Sequence, residues 1–497
     1  MSEYKTPGVY VKEKNAFGLS IGLDSTAVPV FIGYTQKNNG EIIAVNNLSE
    51  FTEMFGGPLL VSGNYAENDS SFKMNQDYSS KHSKLLPKFF LYYAIEHYFS
   101  NGGGKCYIAS INEQKVPLPE DDINTAVINK DHFNKVLEKL DTLEEATLVL
   151  APEAIQLAPL ATDTAGSWDD YKGVCSKLLQ EGHDSAGRNG TRSRLAVLDA
   201  MPEESATGSI SFTNFEAAIS QNEHRSYGTA YYPFLKTNIP LALDESKVEV
   251  TDSHTLSVVE DNSHASHLET EALISSADPV YLDSLKTTNP AKYAKIRQSL
   301  GQQVRIVLPP SAAVVGVYAR TDASRGVWKA PANTPLLDVS EPVRVVTDSA
   351  QEKLNAPNSG KAINVIRSFA GKGTLVWGAR TLNADSLDWR YINVRRLFLA
   401  VEDTCRSAAH QFVFEPNDQV TWLKVKAMID SLLNKMWKQG ALVGLTQDEA
   451  YQISIGLGST MTGNDILEGM MKITVKMAPS RPAEFIEFTF TQMMQTS

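Results

Sequence analysis

The densest group of side chains that could do chemistry lies in residues 317–336, VYARTDASRGVWKAPANTPL. The stretch shows neither helical nor strand periodicity, which predicts a long irregular segment, and such segments often carry catalytic or binding residues. One carboxylate among several cations could act in catalysis, or it could form an ion-paired structural clamp. The stretch alone leaves both interpretations open. The side chains concerned are Arg320, Asp322, Arg325, Trp328 and Lys329.

Other residues of catalytic type occur without the spacing that a known reaction requires. Asp199 ends the predicted strand SRLAVLDA, where α/β enzymes keep catalytic groups, but capping a helix explains this position at least as well. Gly102 to Gly104 follow a helix and precede a strand, the reverse of a phosphate-binding loop, so they are interpreted as a helix end and turn. His264 and His267 could share a metal ion, but no third ligand is nearby and they are interpreted as solvated. No catalytic group, cofactor or metal ion is therefore predicted.

A basic stripe is predicted on one helix of an otherwise acidic chain. At about 100° per residue, Lys424, Lys435 and Lys438 fall within about 60° of one another. The stripe is either an ordinary solvated face or a binding surface. Asn417 is the predicted N-cap of this helix, and Gly440 follows its predicted end. The apolar residues that predict the buried face of the helix are Val425, Ile429, Leu432, Leu433 and Met436.

The elements that must position these side chains alternate between strand and helix. Buried strands such as VPVFIGYT, KCYIAS, ATLVLAPE and SRLAVLDA are separated by helical patterns, among them residues 83–100 and WDDYKGVCSKLLQEG. This alternation predicts an α/β layer with a mainly parallel sheet. Residues 236–303 are polar and acidic, and they are predicted to form a surface insertion. The C-terminal third instead has two amphipathic helices followed by the alternating strands KITVKM and FIEFTF.

Composition excludes several classes of protein. With 497 residues and 42% hydrophobic content, the chain can bury a large core divided into about three domains. Its 46 basic and 58 acidic residues give a net charge of -12, which argues against nucleic acid contact. Three scattered cysteines predict neither a disulfide framework nor a zinc site. Neither a secretory signal nor a membrane-spanning stretch is recognisable, so a soluble product without direct membrane insertion is expected.

A series of segments in a fixed order resembles the contractile tail sheath proteins of phages and of related contractile injection systems. The series covers both ends and most of the middle of the chain, and it leaves out the polar insertion. Such an ordered series is far more specific than any single short motif. The segments are YKTPGVYV, VPVFIGYT, FFLYYAIEHYFSNGGGKCYIAS, LPPSAAVVGVYARTDASRGVWKAPAN, GKGTLVWGARTL, YINVRRLFLAVEDT, FVFEPND and PAEFIEFTF.

The resemblance implies an α/β and α+β multidomain fold. An outer α/β domain with a mainly parallel sheet is expected beside an inner C-terminal α+β domain with terminal strand arms. The chain then divides into an N-terminal arm (1–20), an α/β domain (21–350) with the insertion at about 236–303, an inner domain (360–477), and a C-terminal linker and strand arm (478–497). The linker is expected to flex as subunits move.

The resemblance also implies roles for the residues singled out above. Because a sheath has no substrate, the charged stretch is interpreted as an ion-paired clamp anchored by Trp328. The stripe of Lys424, Lys435 and Lys438 is expected to contact an inner tube protein. The terminal arms are expected to join the sheets of neighbouring subunits, since an unpaired apolar strand invites partner chains. Their residues are Tyr4, Val9, Tyr10, Val11, Ile486, Phe488 and Phe490.

The sequence therefore predicts a structural subunit, not an enzyme: a contractile sheath that polymerises around an inner tube and contracts to drive it through a target envelope. Expected partners are other sheath subunits, the inner tube protein, and baseplate and terminal cap proteins, with no cofactor. Assembly is expected in the bacterial cytoplasm, in a phage tail or, preferably, a released injection particle. The alternative is an α/β hydrolase or nucleotide-binding enzyme that uses loops near Asp199 and Gly102 to Gly104, although no ordered set of nucleophile, base and oxyanion donor supports it.

Overall fold

The chain forms two compact units. The computed structural model describes residues 22–23, 25–37, 40–67, 70–80, 82–111, 115–118, 121, 127–159, 167–184, 194–204, 210–219, 224–251 and 279–487. Residues 397–481 form one unit, which we call the C-terminal unit. Residues 25–396, together with the segment that begins at Pro482, form the other, which we call the α/β unit.

Strands and helices alternate along most of the chain. The first strands are β1 (Pro29–Gly33), β2 (Ile42–Val45), β3 (Val61–Ala66), β4 (Ser71–Met74), β5 (Ser79–Ser80), β6 (Ser83–Pro87), β7 (Cys106–Ser110), β8 (Leu148–Leu150), β9 (Leu195–Asp199), β10 (Glu203–Glu204) and β11 (Ile210–Ser211). The later strands are β12 (Gly228–Tyr232), β13 (Leu235–Pro240), β14 (Leu243–Thr251), β15 (Arg305–Leu308), β16 (Thr334–Pro335), β17 (Val339–Pro342), β18 (Asn364–Phe369), β19 (Gly373–Val376), β20 (Tyr451–Ile455) and β21 (Ile473–Met477). The helices are α1 (Leu48–Phe55), α2 (Leu91–Ser100), α3 (Lys130–Leu137), α4 (Asp169–Asp184), α5 (Thr213–Ala218), α6 (Leu285–Thr288), α7 (Pro290–Gln303), α8 (Ser311–Arg325), α9 (Asp348–Asn355), α10 (Ile392–Ala409), α11 (Gln419–Lys438), α12 (Gln447–Ala450) and α13 (Gly463–Leu467).

One large sheet organises the α/β unit, with the strand order β16-β19-β18-β12-β9-β8-β1-β7-β2. The central strands from β18 to β7 pair in parallel, and antiparallel strands flank them at both edges. Every residue of β1, β8 and β9 is buried, which is why these strands are continuous apolar runs rather than alternating patterns. The prediction of an α/β fold around a largely parallel sheet is confirmed.

The helix predicted over residues 83–100 is shorter than expected. Strand β6 occupies its first five residues, and α2 begins only at Leu91. Pro87 explains the break, because a proline inside a helix removes a backbone N–H and clashes with the preceding turn. Helix α2 packs closely against α8 at Gly316, where a Cβ atom would lie 2.6 Å from the carbonyl oxygen of Tyr98.

Helix α8 corrects the prediction that residues 317–336 are irregular. The helix runs on to Arg325, so Arg320 and Asp322 lie on a helix rather than on a loop. All residues from Ser311 to Tyr318 are buried. The two prolines before Ser311 and the apolar run after them predict a helix start here. A helix that is buried on every side shows no apolar periodicity, so the pattern did not show that the helix continues to Arg325.

The predicted insertion at 236–303 is also shorter than expected. Its first part forms β13 and β14, which pair with β15, β17 and β3, and its last part forms α7. Strand β13 is buried at every second residue, so its lysine and asparagine face outward while its other side joins the core. The buried apolar side chains of this interval include Ile239, Leu241, Val248, Val250, Ile296 and Leu300. Within 236–303, only residues 252–278 lie outside the described part of the chain.

Replacing residues 252–278 by a short Gly/Ser linker is expected to leave the melting temperature nearly unchanged. The flanking strand β14 and helix α7 stay intact, and each doubling of loop length changes the closure free energy by only about 0.6 kcal/mol. Thermal unfolding followed by circular dichroism measures the effect. A matched control replaces residues 243–251, which removes β14 and should unfold its sheet. Equal losses in the two variants would contradict the prediction.

In the C-terminal unit, α11 begins one residue later than predicted and ends just before Gly440, as predicted. The Asp418 carboxylate caps the helix by accepting the Thr421 backbone N–H at 2.9 Å. The predicted cap, Asn417, is therefore displaced by one residue, and its side-chain oxygen accepts the Trp422 indole N–H at 2.7 Å. Gly440 follows the helix with a φ of 83°, a left-handed conformation that favours glycine and ends the helix.

The division of the chain differs from the predicted inner domain at 360–477. Strand β18 pairs in parallel with β12, and β19 pairs with β18, so residues 364–376 belong to the large sheet. The boundary between the units falls within α10. In the C-terminal unit, β20 and β21 form an antiparallel two-stranded sheet.

Candidate functional sites

A buried ion pair joins α8 to the start of α10. The Arg396 guanidinium donates to both carboxylate oxygens of Asp322, at 3.0 and 2.5 Å. The Thr26 hydroxyl donates to the same carboxylate at 2.6 Å, and its carbonyl oxygen accepts from Arg396 at 3.0 Å. The Arg396 guanidinium also lies 4.7 Å from the ring centre of Tyr318. With 3% of the Arg396 side chain and 8% of the Asp322 side chain exposed, the pair is shielded from water.

The expected clamp within residues 317–336 therefore has a partner outside that stretch. Asp322 pairs with a residue 74 positions further along the chain. Arg320 donates to the Pro335 carbonyl oxygen instead of to a carboxylate. Trp328 is half-buried, as an anchor would be, and its carbonyl oxygen accepts from the Asn393 side chain at 2.9 Å. Both oxygens of the Asp322 carboxylate are thus bonded to Arg396, and a clamp role for this arrangement stays a prediction.

Arg325 and Lys329 are the other two cations of the predicted clamp. Arg325 is exposed at the end of α8, and the Lys329 backbone N–H bonds to the carbonyl oxygen of Gly326 at 3.0 Å. Asp322 and Arg325 are three residues apart on α8 and share a helix face, but the Arg396 guanidinium already bonds to both oxygens of the Asp322 carboxylate. A role for these two cations in the clamp stays a prediction.

Asp199 serves a helix rather than a reaction. Its carboxylate accepts the Ser311 backbone N–H at 2.8 Å and the Ser311 hydroxyl at 2.6 Å, at the first residue of α8. Its backbone carbonyl oxygen accepts the Tyr171 hydroxyl at 2.6 Å. Burial raises the pKa of Asp199 to about 7, and the two bonds from Ser311 oppose that rise. Of the two interpretations kept open from the sequence, this geometry favours capping.

A second buried carboxylate, Glu153, was not singled out from the sequence. It accepts backbone N–H groups from Tyr34 at 2.8 Å, Phe90 at 2.6 Å and Leu91 at 3.0 Å, and so caps α2. Burial raises the pKa of Glu153 to about 7, and these three bonds lower it. Glu153 lies in the short 3₁₀ helix Pro152–Leu157, whose mixed residues show no pattern, so only three-dimensional contact reveals the function of this carboxylate.

The predicted lysine stripe is an exposed surface of α11, which we call the lysine face. Lys424, Lys435 and Lys438 are all exposed. Ala427 and Ser431 lie between them on the helix surface and are exposed and uncharged. The opposite side is buried as predicted, by Val425, Ile429, Leu432, Leu433 and Met436. The exposure of the stripe is confirmed, and its contact with a partner stays a prediction.

The predicted strand arms are mostly outside the described residues. Ile486 is 72% exposed and is not part of a strand. The linker before it is fastened in this structure, since Ser480 donates its N–H to Ala441 and Ala478 donates to Ala450. Each strand of the β20–β21 sheet has one strand neighbour among the described residues. The arm residues outside the described part of the chain are Tyr4, Val9, Tyr10, Val11, Phe488 and Phe490, as are His264 and His267.

The described residues contain no group of three or more His, Cys, Asp or Glu side chains placed to hold a metal ion. None of their helices combines the length and the apolar character needed to cross a bilayer.

Residues 384–493 match the family described as phage tail sheath C-terminal domain. A tail sheath protein of Burkholderia phage BcepMu is 28% identical over 141 residues, which are 27% of this chain and 29% of that protein. The matched stretch thus spans less than a third of that curated relative.

Similarity to solved structures extends over the whole chain. The sheath of an extracellular contractile injection system, PVC, in its contracted state is 28% identical with a TM-score of 0.60, covering 99% of both chains. The contracted helical sheath of the anti-feeding prophage AFP is 27% identical with a TM-score of 0.60, covering 98% of this chain and 99% of that chain. The resemblance to contractile tail sheath proteins is confirmed.

Proposed function

We propose that this chain, whose residues 384–493 match the phage tail sheath C-terminal domain, is a structural subunit of a contractile sheath. The observation that carries the proposal is the similarity to the contracted PVC sheath over 99% of both chains. Such a subunit polymerises helically around an inner tube and drives it through a target envelope. The work comes from two alternative packings of the same subunits and needs no enzyme chemistry.

Electron microscopy of the purified protein, alone and with its tube protein, tests this function. Helical tubes, extended on the inner tube or contracted without it, are the expected result. Discrete particles that never polymerise with a tube protein under any condition would contradict the proposal. Boiled protein and a mixture with an unrelated tube protein serve as controls.

An injection system is favoured over a phage tail. The similarity to the PVC and AFP sheaths covers nearly the whole chain, whereas the aligned part of the BcepMu protein covers 27% of this chain. The remaining partners would be the baseplate and terminal cap proteins. Assembly would take place in the bacterial cytoplasm, before the particle is released.

The lysine face is the proposed contact with the inner tube. Its three exposed ammonium groups stand out on a chain whose net charge is -12. An acidic strip on the tube would pair with them as solvated ion pairs, each worth about 0–1 kcal/mol. Contacts this weak can break one after another when the sheath moves, while many repeated subunits still give a firm hold in the extended state.

The terminal arms are the proposed links between subunits, with Tyr4, Val9, Tyr10 and Val11 on one and Ile486, Phe488 and Phe490 on the other. Strand addition supplies directional backbone hydrogen bonds, and the β20–β21 sheet has strand edges that could accept them.

Removing either arm is expected to give folded subunits that no longer form a continuous sheath. One variant starts after Lys12, and the other ends after Glu484, so that the fastened part of the C-terminal segment is kept. Circular dichroism measures folding, and electron microscopy measures sheath length. Full-length sheaths that contract without breaking, formed by either variant, would contradict the arm proposal.

A further inference from the structure

The segment after Pro482 is tied to the α/β unit through one side chain. The Glu484 carboxylate accepts from Arg380 Nε at 3.0 and 3.2 Å, and the Arg380 Nη2 also donates to it. Only 6% of the Arg380 side chain and 17% of the Glu484 side chain are exposed. The two groups form a bidentate, largely buried ion pair of the kind that recognises a carboxylate with defined geometry.

Hydrogen bonds that do not involve Glu484 hold Arg380 in place. Its backbone N–H donates to the Asn364 side-chain oxygen at 2.8 Å, and its carbonyl oxygen accepts from the Asn364 amide at 2.8 Å. Its Nη1 donates to the Asn355 carbonyl oxygen at 2.9 Å. These bonds leave the edge of the guanidinium with Nε and Nη2 to bind a carboxylate.

The residues that follow Glu484 are far more exposed than its side chain. Phe485 is 82% exposed and Ile486 is 72% exposed, and Glu487 is exposed as well. Tyr391 adds a polar hydroxyl 3.4 Å from the Glu484 carboxylate. Among the described residues 482–487, Glu484 thus supplies the ion-paired group, and the three side chains that follow it face solvent.

We propose that Arg380 is a carboxylate-binding site whose ligand is Glu484 of the same chain, and that this pair is the fixed root of the C-terminal arm. The fixed point of the segment is then Glu484, and not the start of the predicted linker at Ala478. An extended chain advances at most about 3.3–3.6 Å per residue, so Phe490 stays within roughly 20 Å of Glu484. The root thereby limits which neighbouring sheet edge the arm can reach. This last consequence rests on the proposed sheath function.

Spin-label mobility in the isolated subunit tests the root without any assembly. A nitroxide is attached at Phe485→Cys, in a chain where the partly exposed Cys405 is replaced by Ser. With Glu484 intact, the anchored backbone one residue away should restrict the motion of the label, although its exposed side chain keeps local freedom. Glu484→Gln should shorten its rotational correlation time several-fold, because the amide cannot match the charge or the bidentate geometry. Glu487→Gln is the matched control and should change nothing.

A charge-exchanged double variant distinguishes loss of the ion pair from loss of folding. The double variant Arg380→Glu with Glu484→Arg restores an ion pair and should immobilise the label again, whereas Arg380→Glu alone should release it. An unchanged label mobility in Glu484→Gln, with a melting curve like that of the parent, would overturn the root.

The sheath assay separates this proposal from the proposed function. If Glu484→Gln releases the label yet still gives sheaths of parental length, the limit on arm reach is overturned. If the parent chain itself never polymerises, the sheath function fails, while the Arg380 site is still judged by the label. In the Arg380→Glu chain, immobilisation of the label on addition of an unlabelled copy with intact Arg380 would show an exchanged arm and overturn the same-chain assignment.

Discussion

Replacing Asp322 by alanine is expected to lower the free energy of unfolding by about 3–5 kcal/mol. The change leaves the Arg396 guanidinium charged and buried without its carboxylate, and breaking one partner of a buried pair has an effect of this size. It also removes the acceptor of the Thr26 hydroxyl. Urea unfolding followed by circular dichroism measures the loss.

The chain offers a matched control in Asp348. Its side chain is 93% exposed and pairs with Arg367 at 2.6 Å, so Asp348→Ala should change the stability by about 0–1 kcal/mol. Replacing both buried partners by apolar residues, Asp322→Leu with Arg396→Met, should recover much of the loss, because no uncompensated charge remains. The buried clamp would be refuted by an Asp322→Ala variant no less stable than Asp348→Ala.

Local patterns in the sequence predicted those elements that keep one face in water. Helix α11 is the clearest example, since the alternation of Lys424 and Lys435 with Val425 and Met436 marks both of its faces. Buried strands such as β1 and β9 were also predictable, because continuous apolar runs of that length between turns fit a parallel sheet. In each case the signal lies within a few residues of the chain.

Elements whose environment is set by distant residues were predicted less well. Helix α8 is buried all round over its first half, so its sequence has no polar side to give a period. Strand β14 was hidden in a polar interval, since its pairing partner β3 lies about 180 residues earlier in the chain. Composition describes what a segment contains, and pairing decides whether it joins the core.

The partners of the charged residues in the candidate sites could not be predicted either, because they are distant in the chain. The charged character of Asp322 was evident from the sequence, but its partner Arg396 is 74 residues away and could not be chosen among many cations. Glu153 and Glu484 carried no pattern at all, since each is defined by the donors that converge on it. Where a carboxylate finds its partner by folding, only the structure assigns its role.

Charge reversal of the whole lysine face is expected to abolish extended assembly on the inner tube. Changing Lys424, Lys435 and Lys438 to Glu turns three weak attractions per subunit into repulsions, and the helical polymer repeats the effect at every subunit. The subunit should still fold, because these side chains are exposed and the buried side of α11 is untouched. Electron microscopy of particles formed with the tube protein measures the outcome. Raising the salt concentration should weaken assembly of the unaltered protein in the same direction, since the Debye length falls to about 3 Å at 1 M.

A control variant separates the effect of net charge from the effect of where the charges lie. Lys353 and Lys372 are exposed residues of the α/β unit, and Lys426 is exposed about 200° from Lys424 around α11. Reversing these three produces the same net charge, so this control should still assemble in the extended state if the face itself holds the tube. Extended sheaths from the Lys424, Lys435 and Lys438 variant would refute the tube contact. Equal failure of both triple variants would instead attribute the effect to general repulsion between more acidic subunits, and the lysine face would then have no special role.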